Sequence, residues 1–115
     1  ERDALVVNTR WPDYYFLYFW NARSRYLIGI DPTFYYLMNK SGYWFWRHAS
    51  NDEAVTCGQP VCGSAGGPPS RWLTDSPAKF VVLDRGRNPR LEGDLRGSGR
   101  WREVFRDGGI LVFGR

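Results

Sequence analysis

The stretch Arg25–Asn39, RYLIGIDPTFYYLMN, decides the fold. Tyr26 to Ile30 is a short apolar run with β-branched isoleucines, the length of a buried strand. Asp31 is a strong N-cap, and Pro32 at a first helical position has its φ preset and lacks an amide hydrogen that the helix would not use. Phe34, Leu37 and Met38 then recur at helical spacing, with Tyr35 and Tyr36 widening the apolar face. The segment is predicted to be a strand-to-helix turn. In an open α/β sheet such a turn lies at the carboxyl edge of the strands, where ligands bind.

Towards the amino end, Ala4–Val7 (ALVV) reads as a first strand that stops at Asn8-Thr9. Trp11-Pro12-Asp13 is a break, and Tyr14–Trp20 (YYFLYFW) is apolar at every position, which suits either a buried strand or two turns of buried helix. Helix is preferred, because Pro12 and Asp13 suit a first turn and parallel strands need a crossover between them. Towards the carboxyl end, Ser41 is the expected cap of a second short helix, Gly42–His48. A Gly/Pro/Cys-rich loop over residues 51–71 follows, and Leu73–Pro77 has room for one helical turn. Loops of that length in compact domains are usually functional or mobile. Lys79–Leu83 (KFVVL) is the third strand and ends in Asp84, after which Asn88 caps a helix from Pro89 to about Leu95. Arg102–Phe105 and Ile110–Phe113 form a hairpin about Arg106-Asp107-Gly108-Gly109, where aspartate and glycine supply the positive φ of the turn. The expected fold is α/β: one domain over residues 1–115, a small Rossmann-like three-layer α/β/α sandwich. Its sheet of about five strands is mainly parallel, with the last strand antiparallel at an edge.

A chain of 115 residues supports one core. Aromatic residues make up 17% of it and cluster before residue 50, and no run approaches the roughly 18 apolar residues of a membrane span. The chain begins with Glu1 rather than methionine, so it is expected to be a piece of a longer protein. Net charge is +4, with six basic and six acidic residues over 1–70 but ten and six over 71–115. The arginines at 85, 87, 90, 96, 100, 102 and 106 alternate with acids at 84, 92, 94, 103 and 107. That pattern makes a mixed surface rather than a phosphate-binding stripe, so no nucleic-acid partner is expected.

Motifs for the common chemistries are missing. The first strand leads into NTRWPD, which has no glycine, so a dinucleotide fingerprint is absent. No P-loop, GxSxG elbow or HExxH occurs, and no cofactor is expected. Cys57 and Cys62 stand in CGQPVC, without the CxxC redox spacing. A zinc site would need two further ligands where His48 is the single histidine, so no metal is expected, and His48 is given an ordinary, partly exposed role. The pair is read as a local disulfide, implying an oxidising compartment, with two unrelated free thiols as the alternative. Asp31 and Asp84 end strands and could bind a metal, a sugar hydroxyl or a cationic group, although helix capping by Asp31 and strand termination by Asp84 are the preferred account. The aromatics suit sugar stacking, a membrane interface or plain core filling.

The stretches WPDYYFLYFWNARSRYLIGIDPTFYYLMN (11–39), KFVVLDR (79–85) and WREVFRDGGILVFGR (101–115) together resemble the soluble C-terminal region of polytopic bacterial membrane proteins. Those proteins look like glycosyltransferases of the GT-C type, related to the dolichyl-phosphate-mannose and oligosaccharyl transferases. The matching positions run over most of the chain. The D-P-T-[FY]-x-Y-L core at Asp31–Leu37 is the most specific part, the terminal hairpin is weak, and the cysteine loop with GSAGGPPS has no counterpart. The resemblance implies a non-catalytic accessory domain on the extracytoplasmic side, tethered to the membrane portion of its own parent chain, which helps to position the acceptor or a lipid-linked sugar. Catalytic acids of that group lie in the membrane portion, so none is carried onto this chain. Trp11, Asp13, Asn21, Asp31, Tyr35 and Tyr36 are the expected ligand or partner surface, as residues of the carboxyl edge or its adjoining turns. The rival readings are a free-standing carbohydrate- or protein-binding module and a small metal-assisted α/β enzyme that uses Asp31 and Asp84.

Overall fold

The computed structural model describes residues 3–10, 17, 21, 23–28, 32–64 and 66–115. In chain order these form β1 (Leu5–Asn8), β2 (Arg25–Tyr26), α1 (Pro32–Met38), α2 (Lys40–Ser50), α3 (Pro69–Asp75), β3 (Phe80–Asp84), α4 (Pro89–Gly97), β4 (Arg102–Asp107) and β5 (Ile110–Gly114). The fold is mixed α/β about one five-stranded sheet of order β2-β1-β3-β5-β4. Helix 14–20 and the cap Asp31 fall outside the described residues, apart from Leu17, which is helical and accepts the Asn21 amide at 2.9 Å.

β1 pairs in parallel with β2 on one side and β3 on the other, and β3/β5 and β5/β4 are antiparallel. The first four strands thus share a direction and β5 opposes them, but β5 lies inside the sheet rather than at its edge. Composition explains the exchange. β5 is ILVFG, with Leu111 and Phe113 fully buried, whereas β4 is the charged REVFRD and is mostly exposed. An interior strand needs apolar side chains, and an edge strand is best blunted with charge and a bulge, which β4 carries between Glu103 and Phe105. In β1 the consecutive residues Val6–Asn8 are buried, as are Val81–Leu83 in β3. Because successive side chains point to opposite faces, both faces of the central strands are covered.

β2 spans Arg25–Tyr26, so Leu27 and Ile28 of the expected strand lie beyond it, and residues 29 and 30 fall outside the described residues. The Leu27 amide still donates to the Val6 carbonyl at 2.9 Å, but at Ile28 the ladder passes to a side chain. The Asn8 amide accepts from Ile28 N at 3.1 Å and donates to Ile28 O at 2.8 Å, satisfying that peptide in place of a strand neighbour. The Trp46 indole donates to the Asn8 carbonyl at 2.9 Å and ties α2 to the same point.

Helix ends also depart from expectation. α2 is capped by Asn39, whose Oδ1 accepts from Gly42 N at 2.9 Å, and not by Ser41, which lies one residue inside the helix. A Cβ at Gly42 would run into Tyr35 Oη and Asn39, so glycine permits the tight step from α1 to α2. Asn88 does not cap α4. Its Nδ2 donates to the Ala49 and Ser50 carbonyls at 3.2 and 3.1 Å, and its Oδ1 accepts from Thr9 Oγ1 at 3.4 Å. Asp52, in the left-handed region at φ 60°, supplies the cap, accepting from Arg90 N at 3.2 Å and Leu91 N at 2.9 Å. α3 follows Pro68, which has no capping side chain, and Asp94 of α4 accepts from Ser70 N at 2.6 Å and Ser70 Oγ at 2.9 Å. In α1 Tyr35 packs on the core, while Leu37 and Met38 are 68% and 88% exposed, so the expected inward face is rotated outward at its end.

Candidate functional site

The expected loop 51–71 ends at Pro68, because α3 begins at Pro69, and the loop is built as a wall. An isolated two-residue bridge joins Thr56 and Gly67, with N–H···O distances of 2.8 and 3.0 Å. Cys57 and Cys62 are bonded as a disulfide, with Cα atoms 5.2 Å apart, closing the segment between them. Two glycines of the wall are closely approached: a Cβ on Gly58 would force Ser41 Oγ to shift, and one on Gly66 would force Val55 to shift. Behind this wall α2 contributes Ser41 and Phe45, and α3 contributes Arg71, Trp72 and Asp75, which enclose a cleft of about 710 Å³. That volume lies in the range of small-molecule sites.

Phe45 and Trp72 stack in parallel, with centroids 5.6 Å apart and planes 7° from parallel. Both are half-buried and line the cleft, and Trp72 also packs against the core. Arg71 and Asp75 are four residues apart on α3 and both are exposed, giving a donor fork and a carboxylate along one rim. An aromatic plane beside paired hydrogen-bonding groups is chemistry suited to a polyhydroxylated ring.

His48, at the last turn of α2, lies behind the disulfide. It is buried, 5% exposed, contrary to the partly exposed role expected of it. Nδ1 is 2.5 Å from Glu53 Oε2 and Nε2 is 2.8 Å from the Gln59 carbonyl. A ligand atom of His48 and the sulfurs of Cys57 and Cys62 all lie within 4.8 Å of one another. Three soft donors are therefore close together, although bridged sulfurs lack the thiolate charge that a metal requires.

At the carboxyl edge, polar groups are engaged internally. Asn8 is bonded to Ile28, Thr9 Oγ1 donates to the Val82 carbonyl at 3.1 Å, and Asn88 is held by Thr9 and the end of α2. Asp84 Oδ1 accepts from Gly86 N at 2.9 Å, closing the turn after β3, and its Oδ2 lies 3.8 Å from Arg10 Nη1.

Of the six expected surface residues, Trp11, Asp13 and Asp31 lie outside the described residues, as does any pairing of Asp31 with Asp84. Asn21 donates to Ser24 Oγ at 2.9 Å and sits where the chain turns into β2, at the amino end of the parallel strands. Tyr35 is half-buried, and burial pushes its phenol up from the ordinary value. Tyr36 meets Tyr43 edge-on at 5.2 Å and carries Lys40 Nζ 5.7 Å from its ring centre. Asn21 is thus separated from the tyrosine pair, and none of the three lines the cleft. Phe45, Arg71, Trp72 and Asp75 were missed because the two halves of the site are over twenty residues apart in the chain. The visible signal was the cysteine pair inside a glycine-rich loop.

In comparisons with protein-family models, curated proteins and solved structures, no match to the chain is found.

Proposed function

We propose that this chain is a non-catalytic accessory domain on the extracytoplasmic side of a membrane-embedded glycosyltransferase-like protein, and that its cleft holds the sugar of an acceptor or of a lipid-linked donor. The observation that carries the reading is the stacked Phe45/Trp72 pair opposite a disulfide-pinned wall, with Arg71 and Asp75 on its rim. The cleft-lining surface of Phe45 and Trp72 offers apolar contact to the C–H groups of a sugar ring, and Arg71 with Asp75 offers a donor and an acceptor to vicinal hydroxyls. The Cys57–Cys62 disulfide agrees with an oxidising compartment. We read the sheet, covered on both faces, as the centre of a small Rossmann-like three-layer sandwich. Contact with the membrane portion of the parent chain is assigned to the exposed Leu37 and Met38 at the end of α1.

Titration calorimetry of the 115-residue chain against a glycan panel tests the binding step. Binding of at least one glycan is expected, with affinity reduced about tenfold in Arg71→Ala, the worth of one charge-assisted hydrogen bond, and more in Trp72→Ala. Absence of heat with every glycan ends the sugar reading. In the parent protein, Leu37→Ser with Met38→Ser should lower transfer activity while leaving glycan affinity of the isolated chain unchanged, and unaltered transfer would remove the assigned contact.

A further inference from the structure

We infer that Cys57 and Cys62 form a redox-active pair, with His48 and Glu53 serving thiol–disulfide exchange with a dithiol. The spacing in CGQPVC does not suggest this, and the inference comes from what the fold brings behind the bridge. His48 faces an acceptor at each ring nitrogen, the Glu53 carboxylate at Nδ1 and the Gln59 carbonyl at Nε2. A neutral imidazole has one N–H and can satisfy only one of them, whereas the imidazolium form would donate to both. A ring nitrogen of this buried side chain lies within 4.8 Å of both sulfurs. A positive charge beside a cysteine favours its thiolate, which makes the cysteine both a better leaving group and a more abundant nucleophile. A passive staple requires no such neighbour.

The two sulfurs differ in access. Cys57 is buried and Cys62 is half-buried, and both border the cleft. A thiolate of the dithiol attacks Cys62 Sγ. A new S–S bond forms there, the Cys57–Cys62 bond breaks, and its electron pair leaves on Cys57, whose sulfur lies within 4.8 Å of a His48 ring nitrogen. The second thiol of the dithiol gives its proton to water and attacks its own sulfur in the mixed disulfide. Cys62 departs as a thiolate and takes a proton from water. Two electrons have passed to the chain, the dithiol has become a disulfide, and the reverse sequence oxidises a client dithiol. Glu53 is a positioning residue, holding the ring charged and oriented without touching the reacting sulfurs.

The inference is independent of sugar binding, which is scored with the bridge closed. It is tested by equilibrating the chain with glutathione buffers and measuring the ratio of reduced to oxidised protein. Replacing the imidazole in His48→Gln should lower that ratio about tenfold, equivalent to about 30 mV towards harder reduction. Glu53→Gln, at a half-exposed site, should lower it in the same direction by a smaller factor of about three. Alkylation of the reduced wild-type protein at neutral pH should be about tenfold faster than that of the same chain unfolded in urea. With Cys57→Ser, glutathione should be trapped on Cys62, and with Cys62→Ser much less on the buried Cys57. Circular dichroism identifies a misfolded variant, and should His48→Gln prove to be one, Glu53→Gln carries the decision. An unchanged ratio in the folded variants, or wild-type alkylation at the unfolded rate, overturns the inference and leaves a structural staple.

Discussion

The carboxyl edge of the sheet and the cleft behind loop 51–71 use similar residue types to opposite ends. At the edge, Asn8, Thr9 and Asn88 are buried and spend their hydrogen-bonding capacity on the backbone of β2, β3 and α2. In the cleft, Arg71 and Asp75 are exposed on α3 beside an aromatic stack. Topology alone favours the edge, since the strand order reverses about β1 and ligands commonly bind at such a reversal. Satisfied polar groups cannot also serve a ligand without the cost of breaking a buried bond. Where a domain can bind is therefore decided by which polar groups packing leaves unused.

The sharpest way to break this contrast is Asn8→Ala. The substitution strips both partners from the Ile28 peptide, and a loss of about 2–4 kcal/mol is expected from two unsatisfied buried groups. Urea unfolding measures it, and a loss under about 1 kcal/mol would mean that the edge is not committed to structure. Asp52→Ala comes next, because this loop residue caps α4 and joins the two regions. A loss of about 1 kcal/mol and a Tm lower by about 4–8 °C are expected, with thermal unfolding as the check. Arg71→Ala should leave stability within about 0.5 kcal/mol, the mark of a side chain reserved for a ligand. A larger loss would place Arg71 with the structural residues.

The smallest effect concerns the ion ladder from α4 to β4. Glu103 accepts from Arg106 at 2.8 and 3.2 Å and from Arg96, and these bonds hold its carboxyl at about 2. Its folded value lies below the unfolded one, so its contribution is present above the ordinary glutamate range and fades as pH falls through it towards 2. The stability difference between wild type and Glu103→Gln should shrink on acidification from pH about 5 to about 2. A difference independent of pH would show that these solvent-facing pairs contribute nothing measurable.

Much of the fold was legible because hydrophobic runs and breakers mark local structure. ALVV, KFVVL and ILVF announce strands, and Asp107-Gly108-Gly109 announces the hairpin, with Gly108 at φ 57°. The capping residues were less legible. Ser41 and Asn88 have the right chemistry for caps, yet Asn39 takes the first role and Asp52 the second. A side chain's type limits what it can bond to, while its partner depends on which donor the packed chain brings within reach. Leu37 and Met38 show the same limit for apolar residues, since helical spacing defines a stripe but not which part of it meets the core.

By itself the sequence determined the runs that become β1, β3 and β5, the helix that follows β3, and the closing hairpin. These follow from patterns spanning a few residues, where backbone sterics and side-chain periodicity dominate. Only the tertiary structure decided that β5 lies inside the sheet, that Phe45 stacks with Trp72 in the lining of the cleft, and that His48 stands behind the disulfide. Each of those outcomes joins segments distant in the chain. Such meetings are selected by burying apolar surface and satisfying polar groups over the whole molecule, which no local pattern encodes.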